Sequence, residues 1–232
     1  MYKDNKLIEY NVKDIFEKVA SQKYDLMNDI MSFGVHRLWK KYYVKLLEKL
    51  HKPNEKILDI ASGTGDIFHL LNRSKNLYAI DPISEMHSVS RKKNSKKIIE
   101  YETGIVEKMP YRKSYFQTIS CTYGVRNFED KKKAFSEIGR CLKKNGYFLF
   151  MEFGTPKREL LLKPYRLYLN DWLPFIGSIV AKDRHSYKYL AESIQKFPSQ
   201  RDIIKQVESA GLSHQKTIDF LSGSNNIYIF KK

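Results

Sequence analysis

Cysteine is nearly absent: Cys121 and Cys141 are the only two in a chain of 232 residues. A disulfide framework is therefore not expected, and the plain expectation is reduced thiols in a cytoplasmic compartment. No apolar run approaches the roughly 20 residues that span a bilayer. The longest nearly uncharged stretch lies around Trp172 to Ala181. The opening residues, MYKDNKLIEYNVKD, lack the apolar centre of a secretory signal. Internal repeats and low-complexity linkers are missing as well. The six histidines form no HxxxH or HExxH spacing and there is no CxxC, so no metal centre is expected. Acidic residues are in deficit, 26 against 42 Lys and Arg, which leaves a net charge of +16. The excess is spread along the chain and is densest at RKKNSKK, Arg91–Lys97. Spread charge of this kind suits a lysine-rich solvated surface as well as attraction to anionic lipid or nucleic acid, and does not choose between them.

What is present is a globular composition, 42% hydrophobic, of a length that suggests one domain with an elaboration. Residues 11–52 read as helical, with an apolar period through Ile15, Val19, Leu26, Ile30 and Leu38, then Leu46, Leu47 and Leu50. Pro53 and Asn54 break that pattern. Strands and helices then alternate. Strands are expected at Lys56–Ala61, Asn76–Asp81, Lys97–Thr103, Phe116–Thr122 and Tyr147–Phe153. Helices are expected at Gly65–Arg73, Ser84–Lys93 and Asp130–Leu142, the last stopped by KKNG, Lys143–Gly146. The alternation predicts an α/β fold with a doubly wound, mostly parallel sheet. After Gly154, residues 156–196 read as helices rich in Tyr, Leu and Trp. A helix at Ser199–Ala210 stops at Gly211, and two strands, Ser213–Phe220 and Asn226–Lys231, are expected to pair antiparallel at the sheet edge. The helical insertion would then cover the carboxyl ends of the strands, where open α/β sheets bind ligands.

The most informative stretch is ILDIASGTGDIFHLL, Ile57–Leu71. A strand runs into a small-residue turn and then a helix. A phosphate loop requires a lysine after the glycines, and none follows. A dinucleotide fold requires a third glycine for close helix packing, whereas only Gly63 and Gly65 are present. Asp66 at the helix start would compete with a pyrophosphate for the positive helix end. A ligand with a cationic end and no phosphate fits better, and S-adenosylmethionine (SAM) is such a ligand. Asp81 ends the second strand about 20 residues on, where an acid can accept bonds from ribose hydroxyls. A tight turn with Asp66 as a simple helix cap is the structural alternative.

Further segments carry a resemblance: YDLMNDIMSFGVHRLWK (Tyr24–Lys40), LDIASGTGD (Leu58–Asp66), YGVRNFEDK (Tyr123–Lys131), LKKNGYFLFMEF (Leu142–Phe153) and LPFIGSIVAKDRHSYKYLAESIQKFPSQ (Leu173–Gln200). Over most of its length the chain resembles the bacterial ubiquinone/menaquinone biosynthesis C-methyltransferases, class I SAM-dependent enzymes that methylate a polyprenylated quinol ring. The resemblance implies a single methyltransferase domain: a helical lid over residues 1–52, a SAM-binding core over 53–154, a helical substrate insertion over 155–197, and a final helix with strands over 198–232. It implies that SAM meets Thr64, Asp81, Ile105, Val106 and Thr122, beside Ser62, Gly63 and Gly65 of the turn. Where the family usually has Asp or Asn, this chain has Ile105, which offers adenine only backbone and an apolar wall. The closing SGSNNIYIFKK also departs from the family's usual ending.

The implied acceptor is 2-polyprenyl-6-methoxy-1,4-benzoquinol, demethylmenaquinol or both. Methyl transfer to a ring carbon needs in-line alignment and help in removing a hydroxyl proton. The resemblance points to Arg126, Asn127, Asp183 and Tyr187 for that task, with Tyr189, Tyr24 and His36 as further candidates. Arg126 stays charged, so it is expected to stabilise a phenolate or position a water. For Tyr187, Tyr189 and His36 packing is the alternative, and for Asp183 helix capping. Implied partners are the prenylated quinol, a homodimer or quinone-biosynthesis complex, and a peripheral contact with the inner membrane surface through Leu160–Leu162 and Trp172–Ile179, for which burial against the sheet or a second subunit is the alternative. Nucleic acid is not expected. An amino-methylating enzyme of that class would carry D/N/S-P-P-Y/F where this chain has Thr122-Tyr123-Gly124-Val125, and neither cysteine follows a proline. A nucleic-acid methyltransferase and a non-catalytic SAM-fold binding protein stay open as rivals.

Overall fold

The computed structural model describes Asp29, Ser32 and residues 34–72, 75–180 and 184–232. Its helices are α1 (Val35–Leu50), α2 (Asp66–Leu70), α3 (Ser84–Lys93), α4 (Lys131–Cys141), α5 (Glu159–Leu167), α6 (Leu173–Val180), α7 (Arg184–Gln195) and α8 (Gln200–Glu208). Its strands are β1 (Lys56–Ile60), β2 (Asn76–Asp81), β3 (Ile99–Thr103), β4 (Phe116–Thr122), β5 (Leu142–Phe153), β6 (Ser213–Phe220) and β7 (Asn225–Lys231). They form one sheet in the order β3-β2-β1-β4-β5-β7-β6. The first five are parallel, with Ile57 of β1 opposite Leu77 of β2 and Thr118 of β4. β7 runs antiparallel to β5 and to β6, so the late hairpin closes one edge as the sequence predicts.

The strands are apolar on both faces because both are covered. On one face α4 and α8 pack Phe135, Ile138, Ile203 and Val207 onto Phe148, Phe150 and Phe230. On the other, α1, α2 and the insertion pack Trp39, Tyr43, Leu47, Phe68, Leu173 and Leu190 onto Leu149, Met151 and Ile227. Tyr43 fixes α1 in place: its hydroxyl donates to Leu149 O (2.8 Å) and accepts from Cys121 N (3.3 Å). The insertion contains α5, a π turn at Tyr168–Trp172, α6 and α7. Tyr189 of α7 bonds to Asn127, just beyond β4, and so places the insertion at the carboxyl ends of the strands.

Several element limits differ from the sequence reading, most by one or two residues, and three differences have a clear physical cause. The KKNG run does not stop a helix. α4 ends at Cys141 and β5 begins at Leu142, with Asn145 in the left-handed region (φ 61°) and Gly146 inside the strand. Phe116 pairs with Leu142 but Thr118 with Tyr147, so Lys143–Gly146 form a bulge rather than a cap. α2 is shorter than expected: Leu71 is already extended, and Lys97 Nζ takes the carbonyls of Phe68 and Leu71. That lysine is thereby held at the end of α2, and β3 starts only at Ile99. The expected helical stretch before residue 29 lies outside the described residues.

Candidate functional site

The chain leaves β1 through Ala61, at φ 49°, and turns over Ser62–Gly65, with Gly65 N donating to Ser62 O (3.0 Å). Gly63 and Gly65 are both left-handed (φ 52° and 75°), a region that favours glycine. A Cβ on Gly65 would lie 2.0 Å from Ser90 Oγ, so the turn packs tightly on α3 there. Asn94 Nδ2 holds it by donating to Gly65 O (3.1 Å). A Cβ on Gly63 would meet nothing within 4 Å, so the backbone faces open space. Beside that space, Ser62 Oγ is buried and has no hydrogen-bond partner among the described residues. Asp81 Oδ2 accepts from Gly63 N (2.8 Å) and Oδ1 from Ile83 N (3.0 Å), tying the end of β2 to the turn. Burial pushes the Asp81 carboxyl up to about 6, with the two amides pulling the other way. Its remaining lone pairs, the open backbone at Gly63 and the unused Ser62 hydroxyl together fit the nucleoside and amino-acid parts of SAM.

Asp66 corrects the sequence argument. Its carboxylate accepts from Lys40 Nζ of α1 (2.5 Å) and from Lys93 Nζ of α3. Burial alone would raise its pKa, but the two lysines hold it well below the usual carboxylate range. The acid at the helix start is thus neutralised by the chain's own cations and is not reserved for a ligand's. The missing third glycine keeps its force: that position is Phe68, which is fully buried in the core. Beneath the turn, Asp59 accepts from Ser120 Oγ, and burial pushes it up to about 7.

Of the remaining expected cofactor positions, Thr64 is buried in the turn and Val106 in the core. Ile105 follows β3 and is about half exposed, an apolar surface at the edge of the sheet. Thr122 ends β4, partly buried.

Arg126 and Asn127 lie in a single turn, Val125–Asn127, directly after β4. Arg126 Nη1 donates to Glu152 Oε1 (2.6 Å) and its backbone N donates to Oε2 (3.2 Å). Glu152, fully buried near the end of β5, also accepts from Phe153 N (3.0 Å). Asn127 Oδ1 accepts from Tyr189 Oη (3.2 Å). Burial raises the Tyr189 and Tyr165 hydroxyls, and both feel the charges of Arg126 and Glu152. Tyr187 is buried where α7 meets α6, its ring against Gly177. His36 is buried on α1 with Nδ1 2.7 Å from Ser32 Oγ; burial and Lys40 push it down to about 4, so it is neutral. Asp183 and Tyr24 lie outside the described residues. Sequence reasoning missed Glu152, Tyr165, Lys40 and Lys93. Glu152 carried a signal: an acid in the apolar strand YFLFMEF, as Asp59 and Asp81 are in theirs.

A model of the ubiE/COQ5 methyltransferase family matches residues 3–232. The ubiquinone/menaquinone biosynthesis C-methyltransferase UbiE of Wigglesworthia glossinidia brevipalpis is 41% identical over 229 residues, 95% of this chain and 89% of that protein. The protein of the same name from Methylococcus capsulatus is 37% identical over 220 residues, 91% of this chain and 88% of the other. Among solved structures, a SAM-dependent methyltransferase of Thermotoga maritima, described as a possible histamine N-methyltransferase, aligns with TM-score 0.67 at 16% identity, over 94% of this chain and 99% of that one. A putative methyltransferase of Bacillus halodurans aligns with TM-score 0.59 at 22% identity, over 78% and 71%. At such identities these two show the shared fold, whereas the family model and the relatives cover nearly the whole sequence. The chain belongs to the ubiE/COQ5 methyltransferase family.

Proposed function

We propose that this chain transfers a methyl group from SAM to a ring carbon of a polyprenylated quinol, the benzoquinol or naphthoquinol of ubiquinone or menaquinone biosynthesis. The observation that carries the reading is the buried Arg126–Glu152 pair at the carboxyl ends of β4 and β5, one strand from the Gly63–Asp81 turn. When bound, SAM supplies a methyl group on a cationic sulfur, and the Ser62–Gly65 backbone with Asp81 would hold it. Arg126 stays charged and stabilises the phenolate form of the acceptor, which makes the adjacent ring carbon nucleophilic. Glu152 fixes the guanidinium, and the Asn127–Tyr189 bond closes the wall beside it. Alignment of donor and acceptor can supply ~7–11 kcal/mol of the barrier. The insertion 155–197 acts as the substrate element and the segment 1–52, through α1, as the cover over the turn.

The acceptor's prenyl tail resides in membrane. No helix among the described residues is long and apolar enough to cross one. The outer side of the insertion exposes Leu160, Leu167, Trp172, Phe175 and Ile179 beside Arg158, Lys163 and Arg166. This face suits a peripheral contact with an anionic bilayer on the cytoplasmic side. Self-association through it is opposed by the +16 charge of each copy. Quinone profiling tests the function: a strain without this gene should accumulate a demethyl quinone and lose the methylated one, whereas an unchanged quinone pool contradicts the reading.

A further inference from the structure

Asn225 is fully buried, and neither atom of its carboxamide has a hydrogen-bond partner among the described residues. Buried polar groups are almost always paired, so an amide with both donor and acceptor unused calls for a partner that the described residues do not supply. The next residue shows the contrast: Asn226 Nδ2 donates to Gly223 O (2.8 Å), and its Oδ1 accepts from Gln200 Nε2 (2.7 Å). Strand alternation separates the two. Asn226 shares a face with Tyr228 and Phe230, under α4 and α8. Asn225 shares the face of Ile227 and Ile229, under α1 and the insertion.

The register brings this amide to the proposed active site. Asn225 lies opposite Phe153 of β5 on one side and Phe220 of β6 on the other, within cross-strand contact reach. Phe153 stacks on Tyr123 with ring centroids 4.4 Å apart, and the Arg126 guanidinium carbon lies 5.8 Å from its ring. Phe153 thus neighbours Asn225 across the strand pair and carries the Arg126 guanidinium near its ring. Phe220 in turn meets Trp39 and Tyr42 of α1. An aromatic wall holding a single unused amide is the usual composition of a site for a planar ring that carries oxygen substituents. Asparagine is also disfavoured in strands, and here Asn225 and Asn226 precede an apolar run, Ile227–Phe230.

We propose that Asn225 is a substrate-contacting residue whose carboxamide hydrogen-bonds an oxygen substituent of the acceptor ring. The assignment rests on the quinol reading above. A site built around a polar partner discriminates strongly, because a wrong ligand leaves the amide unpaired.

The test compares the wild type with N225L and with the smaller, strand-favouring N225V. Three readouts are needed: thermal unfolding, SAM affinity by calorimetry, and kcat and KM for a short-chain prenylated benzoquinol and for a demethylmenaquinol. Both variants should melt at or above the wild-type temperature, since an unused buried amide is removed. SAM affinity should stay within twofold. KM for the preferred quinol should rise at least tenfold. Kinetic constants within twofold of wild type would overturn the assignment, because the amide then meets no substrate. Melting well below wild type in both variants would make the amide structural and overturn it equally. If the wild type itself methylates neither quinol, the quinol reading fails, and this assignment falls with it.

Discussion

Arg126 Nη1 lies 2.6 Å from Glu152 Oε1, with Glu152 fully buried and the arginine side chain nearly so. A pair so placed is poor evidence for stability, since burying two charges offsets most of their attraction. Its position, at the ends of the two central strands and one strand from the Gly63–Asp81 turn, points to a functional reason for keeping it.

R126Q alone leaves Glu152 buried and uncompensated, and should lose about 3–5 kcal/mol of stability. The double variant R126Q/E152Q removes both charges, and its unfolding midpoint should return most of the way to wild type. Its SAM affinity should stay near wild type while turnover falls at least about 100-fold, in the range seen when an electrostatic donor is lost. Urea unfolding together with a methyl-transfer assay checks both halves. Recovery of turnover along with stability would remove Arg126 from the chemistry.

Asp59 carries a pH dependence with a definite sign. Its folded pKa of about 7 lies above the ordinary 3.8, so the folded state holds a proton that the unfolded state releases between those values. The group's contribution is full below the unfolded pKa and is lost as pH rises through about 7. D59N keeps an acceptor for Ser120 Oγ and cannot ionise. Relative to wild type its gain should be on the order of 2–3 kcal/mol larger at pH 8 than at pH 5. Melting curves at the two pH values measure the difference, and equal gains at both would show that Asp59 is not protonated in the fold.

Asp66 joins three helices through Lys40 and Lys93. D66N leaves a buried lysine unpaired and should cost on the order of 3 kcal/mol. Because Lys40 lies on α1, limited proteolysis should cut near that helix faster in D66N and in K40M than in wild type. An unchanged cleavage rate would mean that the ion pairs do not hold α1 against the turn.

Gly65→Ala puts a side chain on a left-handed backbone and onto Ser90. The backbone alone should cost at least about 1 kcal/mol. Displacing the turn from α3 should weaken SAM binding several-fold, measurable by calorimetry. G63A meets open space instead. It bears the same backbone cost, and its methyl group occupies the place proposed for the ligand, so it should cost less stability than G65A and more affinity.

Much of the fold was legible because buried parallel strands are nearly continuous apolar runs and their turns carry fixed chemistry. Asn76–Asp81, Ser84–Lys93, Phe116–Thr122 and Ser213–Phe220 have the limits that the sequence predicts. The errors came from contacts made across the fold. The pattern of KKNG suits a helix stop, but pairing of β5 with β4 pulls those residues into a bulge. Asp66 looked like a ligand's partner because Lys40, 26 positions away in the chain, and Lys93, 27 away, gave no local sign that they would reach it. Glu152 and Asn225 were visible as polar residues in apolar strands, yet only the sheet order shows that both flank Phe153 near Arg126.

The most direct measurement incubates the purified protein with methyl-labelled SAM and a reduced prenylated demethyl quinol, then locates the label in the product by mass spectrometry. The account predicts one labelled methyl group on a ring carbon, formed in wild type and lost in R126Q/E152Q. Label on oxygen, or no label in the quinol although SAM binds, would contradict it.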